Sequence, residues 1–119
     1  MAKLIKVPKY TDERGSLCVI EKILPFEIKR VFYIFDVKAP RGGHAHKKTK
    51  LALVSLVGEC SVYVNNGKTK TTYKLTSPDE LLILEPEDWH LLELSKNCVL
   101  LVLASEYYDK EDYIYEEPK

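Results

Sequence analysis

Apolar positions along the chain recur in short runs rather than in helical stripes. Runs rich in Val, Ile, Leu, Tyr and Thr alternate with turn signals at a spacing of about 8 to 12 residues, and no long window carries a 3.6-residue period. The runs predict strands over Leu4–Val7, Ser16–Lys22, Lys29–Asp36, Lys50–Val57, Cys60–Val64, Lys70–Leu75, Glu80–Leu84, Trp89–Leu94 and Cys98–Ser105. The breaks between them are explicit. Asn65-Asn66-Gly67 separates two alternating runs and signals a hairpin, because Asn and Gly tolerate positive φ. Gly58 marks a second tight turn, and Ser77-Pro78-Asp79 and Glu85-Pro86-Glu87 end the next runs. The stretch Tyr107–Tyr115 reads as one short helix or an edge strand. Short antiparallel strands at this density predict an all-β jelly-roll barrel, an architecture whose interior can hold a small ligand.

Length then bounds the picture. At 119 residues the chain is predicted to be one domain over residues 1–119 with a single real core. No apolar stretch reaches the ~18 residues of a membrane span. The first ten residues carry lysines at 3, 6 and 9 and no apolar core of a secretion signal. Eighteen basic residues balance eighteen acidic ones, so no global field points to nucleic acid. The balance is uneven, however. From about residue 106 an acidic tail carries Glu106, Asp109, Glu111, Asp112, Glu116 and Glu117 against two lysines, which leaves the body basic. A basic body suits an anionic small ligand; an acidic tail is otherwise a solvated segment. Cys18, Cys60 and Cys98 are odd in number and show no CxxC spacing. They are expected to be buried thiols in a reducing, cytoplasmic setting.

The densest chemistry lies in Pro40-Arg41-Gly42-Gly43-His44-Ala45-His46-Lys47. On a strand, His44 and His46 point to the same face. Paired imidazoles titrate near neutrality and suit proton transfer or metal binding. His90, in Pro-Glu-Asp-Trp-His, is a candidate third ligand, and three histidines can hold zinc or iron. Against a metal, the position four residues after His46, where such sites want a carboxylate, is Lys50, with Lys47 and Lys48 nearby. We therefore expect no metal and no cofactor. Arg14, Arg30 and Arg41 are the only arginines beside fifteen lysines, each near the start of a strand. Such placement suits guanidinium forks for phosphate or carboxylate as well as ordinary salt bridges. Phe32 shares the Arg30 face of its strand, whereas Tyr33 faces the other way, beside Phe35. Trp89 is either core or an aromatic wall.

The ordered set Arg14-Gly15-Ser16-Leu17, Pro25 to Asp36, Pro40 to Lys47, Pro86-Glu87-Asp88-Trp89-His90 and Val102 to Asp109 resembles the WxcM-like cupin family of sugar 3,4-ketoisomerases. The resemblance runs over nearly the whole chain. It implies a small jelly-roll enzyme, a homodimer often exchanging N-terminal strands, which works without metal. Such enzymes move the ketone of dTDP-4-keto-6-deoxyglucose from C4 to C3, ahead of transamination to 3-amino-3,6-dideoxy sugars of surface polysaccharides. By the HAH motif, His44 and His46 are the implied catalytic pair, and Arg14, Arg30 and Arg41 fall at arginine positions near nucleotide and sugar. The chain departs from the pattern at Gly43, often bulky, at Phe32, often Tyr, in a shorter Val37–Pro40 loop, at Lys50, and in lacking a long C-terminal helix. These departures bear on sugar pose and product stereochemistry more than on reaction class.

The chemistry itself asks for little. A proton must leave C3 and one must reach C4 through an enediol, while O4 gains a proton and O3 loses one. Two imidazoles on one strand face supply both transfers. Which of them takes the carbon-bound proton does not follow from the sequence; His44 is the preferred base. Tyr33 and Arg41 are expected to stabilise the enediolate, and Arg14, Arg30, Phe32, Trp89 and His90 to bind the nucleotide sugar. Three other readings remain open: a metal-dependent cupin enzyme, a non-catalytic sugar-nucleotide-binding module, and a related 3,5-epimerase.

Overall fold

The computed structural model describes residues Met1–Lys119 and contains twelve strands, all paired antiparallel, and one 3-10 turn, Lys110–Asp112. One five-stranded sheet runs β1 (Lys3–Lys6), β9 (Glu80–Leu84), β6 (Leu51–Val57), β11 (Val99–Ala104), β4 (Arg30–Ile34). The second runs β12 (Tyr113–Ile114), β5 (Arg41–His46), β10 (Trp89–Leu94), β7 (Cys60–Asn65), β8 (Lys70–Leu75). A separate hairpin, β2 (Lys9–Asp12) and β3 (Gly15–Cys18), pairs with neither sheet.

The two sheets close on one apolar core, as the jelly-roll expectation requires. Leu51, Leu53, Leu82, Leu100 and Val102 of the first sheet meet Val62, Val64, Leu75 and Leu92 of the second. Residues in between point the other way. Ala52, Val54, Leu81, Ile83 and Leu103 form a second cluster on the outer face, roofed by Ile20, Ile23, Leu24 and Phe26 of the segment after β3. This is why Leu51–Val54 reads as an unbroken apolar run: β6 is buried on both faces.

The predicted turns hold. Gly58 and Gly67 both adopt positive φ, and the Asn66 side chain accepts from the backbone N–H of Lys68 and Thr69 to close the β7–β8 hairpin. Corrections fall elsewhere. The strand expected over Ser16–Lys22 ends at Cys18, where the chain leaves the hairpin. Strands β2 and β5 come in addition to those expected. The tail carries both of the forms anticipated for it, a 3-10 turn and then an edge strand. Cys60 and Cys98 are buried thiols, and burial raises both, that of Cys60 to about 12. Cys18 is exposed, contrary to expectation, because its hairpin has no sheet to pack on. No helix is long and apolar enough to cross a membrane.

Candidate active site

β5 and β10 bring the histidines together. Gly42, at φ +95°, lets the two backbones approach so closely that a Cβ there would lie 2.9 Å from the His90 carbonyl oxygen. At this point the ladder shifts register between His90 and Leu91, and His90 sits directly opposite His44. The ring centroids of His44 and His90 are 4.8 Å apart, and those of His44 and His46 are 5.1 Å apart. From the other edge of β5, Tyr113 pairs with His46, and its ring lies 4.6 Å from His44 and 4.7 Å from His46.

These side chains line a cavity of about 180 Å³. Its polar wall is Arg30, Arg41, His44, His46, His90 and Tyr113; its apolar wall includes Phe32, Leu53, Leu92 and Val102. Alternation along β4 puts Arg30 and Phe32 on this wall, with the Arg30 guanidinium 5.3 Å from the Phe32 ring centroid and 5.8 Å from that of Tyr108. The Arg30 Nε is buried and has no hydrogen-bond partner within the protein. Arg30 lines the cavity, so its guanidinium can meet an oxygen-rich or anionic ligand there.

Burial works against the charged form of all three imidazoles. Burial pushes His44 below the usual histidine value, helped by the nearby His46 and opposed by the Gly42 carbonyl. Burial also lowers His46, while its partner Asp112 pulls the other way. His90, nearly wholly enclosed, is pushed down to about 4, mainly by burial. Its Nδ1 donates to the Asp88 carbonyl at 3.0 Å, which leaves Nε2 free as an acceptor. Asp112 is itself buried, a change that alone would raise it. Hydrogen bonds from Thr49, the Lys48 backbone and His46 outweigh burial and hold the carboxyl below its ordinary value.

Six of the nine residues proposed from sequence line the cavity: Arg30, Phe32, Arg41, His44, His46 and His90. Tyr33 does not. It lies on the opposite face of β4, 63% exposed, with its ring 6.1 Å from that of Phe35. The alternation that put it beside Phe35 is what carries it away from the histidines. Trp89 is turned away from the cavity by the same rule, since His90 faces in. Its indole N–H donates to the Tyr115 carbonyl at 3.1 Å, and its ring packs near Tyr63. Arg14 sits on the free hairpin, where its guanidinium grips Asp12 at 2.7 Å, outside this cavity.

Sequence reasoning missed Asp112, Tyr113 and Thr49. The tail is not a solvated appendage. Asp109 caps the 3-10 turn and pairs with Lys48, and Glu117 accepts from Tyr63 and Asn65. The acid-aromatic run was visible, but nothing in it named its partners.

The three imidazoles offer ligand nitrogens within 4.8 Å of one another, a spacing that a divalent ion can draw together. Such an ion would be held by His44, His46 and His90 and would polarise a ketone oxygen. No carboxylate joins the set. Lys50, at the expected position, reaches Glu85 at 3.8 Å, and Arg30 and Arg41 place positive charge on the same wall.

A family model described as FdtA: WxcM-like, C-terminal, matches residues 1–119. The chain belongs to this family. It is 49% identical over 117 residues to the TDP-4-oxo-6-deoxy-alpha-D-glucose-3,4-oxoisomerase of Aneurinibacillus thermoaerophilus, covering 94% of this chain and 84% of that protein. Among solved structures, the WlaRB TDP-quinovose 3,4-ketoisomerase of Campylobacter jejuni is 40% identical with a TM-score of 0.92, over 97% of this chain and 92% of that one. The QdtA sugar 3,4-ketoisomerase of Thermoanaerobacterium thermosaccharolyticum, in complex with TDP, is 40% identical with a TM-score of 0.91, over 97% and 88%. The chain is thus a homologue of sugar-nucleotide isomerases. The RmlC 3,5-epimerase of Legionella pneumophila, at 15% identity and a TM-score of 0.80, shares the jelly-roll fold alone.

Proposed function

We propose that this protein is a metal-independent 3,4-ketoisomerase acting on dTDP-4-keto-6-deoxyglucose. The observation that carries the reading is the gathering of the imidazoles of His44, His46 and His90 around one small cavity. At about 180 Å³ the cavity is smaller than the ~300–1,000 Å³ of pockets that enclose whole drug-sized ligands. It suits a sugar ring, with the nucleotide lying outside its mouth.

In the proposed mechanism His44 takes the proton from C3. The C3 electron pair forms the C3–C4 double bond, and the C4 carbonyl electrons move onto O4, giving an enediolate whose O3 still holds its proton. O3 then gives up its proton, the C3 carbonyl forms, and C4 receives the proton held by His44. His46 carries the oxygen-side proton from O3 to O4, so atoms and charge balance without a cofactor. His90, with Nε2 free, accepts from a sugar hydroxyl. Arg41 and the hydroxyl of Tyr113 steady charge developing on the enediolate, the role expected of Tyr33 from sequence. Arg30 meets the ligand through its guanidinium on the cavity wall, and Phe32 packs beside the sugar.

A homodimer fits the same reading. The outer face of the edge strand β4 exposes Val31 and Tyr33, Phe35 is exposed just past its end, and the free hairpin exposes Tyr10 and Leu17. Exchange of that hairpin between copies would cover apolar surface and bring Arg14 toward a neighbouring site. The product would feed a transaminase in deoxysugar and polysaccharide synthesis in the cytoplasm.

The His44, His46 and His90 cluster favours one second reading, a metal-assisted isomerase. Turnover of dTDP-4-keto-6-deoxyglucose by chelator-treated protein separates the two. A 3-keto product without added metal is expected; activity restored only by a divalent ion would transfer the mechanism to the metal.

A further inference from the structure

We propose that Asp112, delivered by the C-terminal segment, is the positioning residue that fixes the tautomer and orientation of His46. The inference rests on the ketoisomerase reading for its kinetic test only. The Asp112 carboxylate lies 2.8 Å from His46 Nδ1, and both groups are buried. An ionised carboxylate can only accept, so Nδ1 carries the hydrogen and donates it. Neutral His46 therefore has its lone pair on Nε2, the nitrogen left for the cavity. The same carboxylate accepts from the Lys48 backbone N–H at 2.7 Å and from the Thr49 hydroxyl, which hold it in place.

The backbone supports this pairing. The Lys47 N–H donates to the Asp112 carbonyl at 2.7 Å, and β12 pairs with β5 at His46 and Ala45. The tail is thus fastened to the strand that carries the two catalytic histidines. A histidine relaying a proton between two sugar oxygens must pass through imidazolium, and a fixed carboxylate on its far nitrogen stabilises that state. The other groups around His46 work against the charge or are neutral: Arg30 from β4, His44 on β5, His90 from β10 and Tyr113 from β12.

Asp112→Asn separates positioning from mere support. The amide oxygen can still accept from Lys48, but the amide nitrogen would donate to Nδ1 and force the opposite tautomer. Expected are a folded protein, a TDP affinity within about twofold of wild type, and a kcat lowered roughly 100-fold or more. The acid limb of the kcat profile should also move to lower pH. A folded variant with kcat within threefold and an unmoved limb would overturn the proposal. ¹⁵N NMR of wild-type His46 at pH 8 decides the matter if the variant does not fold. Protonated Nδ1 with bare Nε2 is expected, and the reverse tautomer contradicts it. If wild type turns over no TDP-sugar, the ketoisomerase reading fails, while this spectrum still reports on Asp112.

Discussion

His44 and His90 face each other across the β5–β10 ladder, with ring centroids 4.8 Å apart. Neither is near the other in sequence. A single glycine, Gly42, allows the close approach that makes them neighbours.

That glycine gives a paired stability prediction. Gly42→Ala places a Cβ 2.9 Å from the backbone oxygen of His90 and holds alanine at φ +95°. The expected loss is roughly 2–4 kcal/mol together with most activity, since the histidines would be pushed apart. Gly43→Ala meets nothing within 4 Å and bears only its φ of +77°, so about 1–2 kcal/mol is expected. Urea midpoints of the two variants check this, and equal losses would contradict it.

The histidines should separate chemistry from binding. His44→Asn and His46→Asn are each expected to lower kcat by at least about 100-fold while leaving TDP affinity within a few-fold. Calorimetric titration with TDP and steady-state turnover are the two readouts. Near-wild-type turnover in both variants would remove the proposed pair.

Arg30→Ala should act in the opposite way. It removes the guanidinium on the cavity wall, the cation stacked beside Phe32 and Tyr108. An affinity loss of about 10-fold or more is expected for the nucleotide sugar. An unchanged affinity would take Arg30 out of the binding site.

Acid stability follows from His90. Its folded value of about 4 lies below the ordinary 6.5. Between those two values the unfolded chain binds a proton that the folded chain refuses. Stability is therefore full above pH 6.5 and falls as pH drops toward 4, by at most ~3 kcal/mol from this residue. His44 and His46, also lowered, add to the same slope. Urea midpoints measured from pH 7 to 4 should decline less steeply in His90→Gln than in wild type. Parallel slopes would show that His90 is not held neutral.

Much of the barrel was legible because its core strands alternate or run apolar between strong turn residues, as β6, β7 and β8 do. β5 escaped the strand pattern, since Arg-Gly-Gly-His-Ala-His has little β-propensity. It is a strand because its neighbours hold it, and its two glycines are what the site needs. The same alternation that grouped Arg30 with Phe32 correctly set Tyr33 apart, yet Tyr33 still drew a catalytic role from its chemistry alone. Asp112 and Tyr113 were hidden for another reason. Their partners, His46, Lys48 and Thr49, lie over sixty residues away, and no local period encodes such a pairing.

The most direct test is proton NMR of dTDP-4-keto-6-deoxyglucose with chelator-treated protein in deuterated water. The account predicts a 3-keto product, with deuterium at C4, and at C3 of the remaining substrate, to the extent that the proton on His44 exchanges with solvent. Substrate that binds, seen by line broadening, yet stays unchanged and undeuterated would contradict the isomerase assignment and leave a sugar-nucleotide-binding protein.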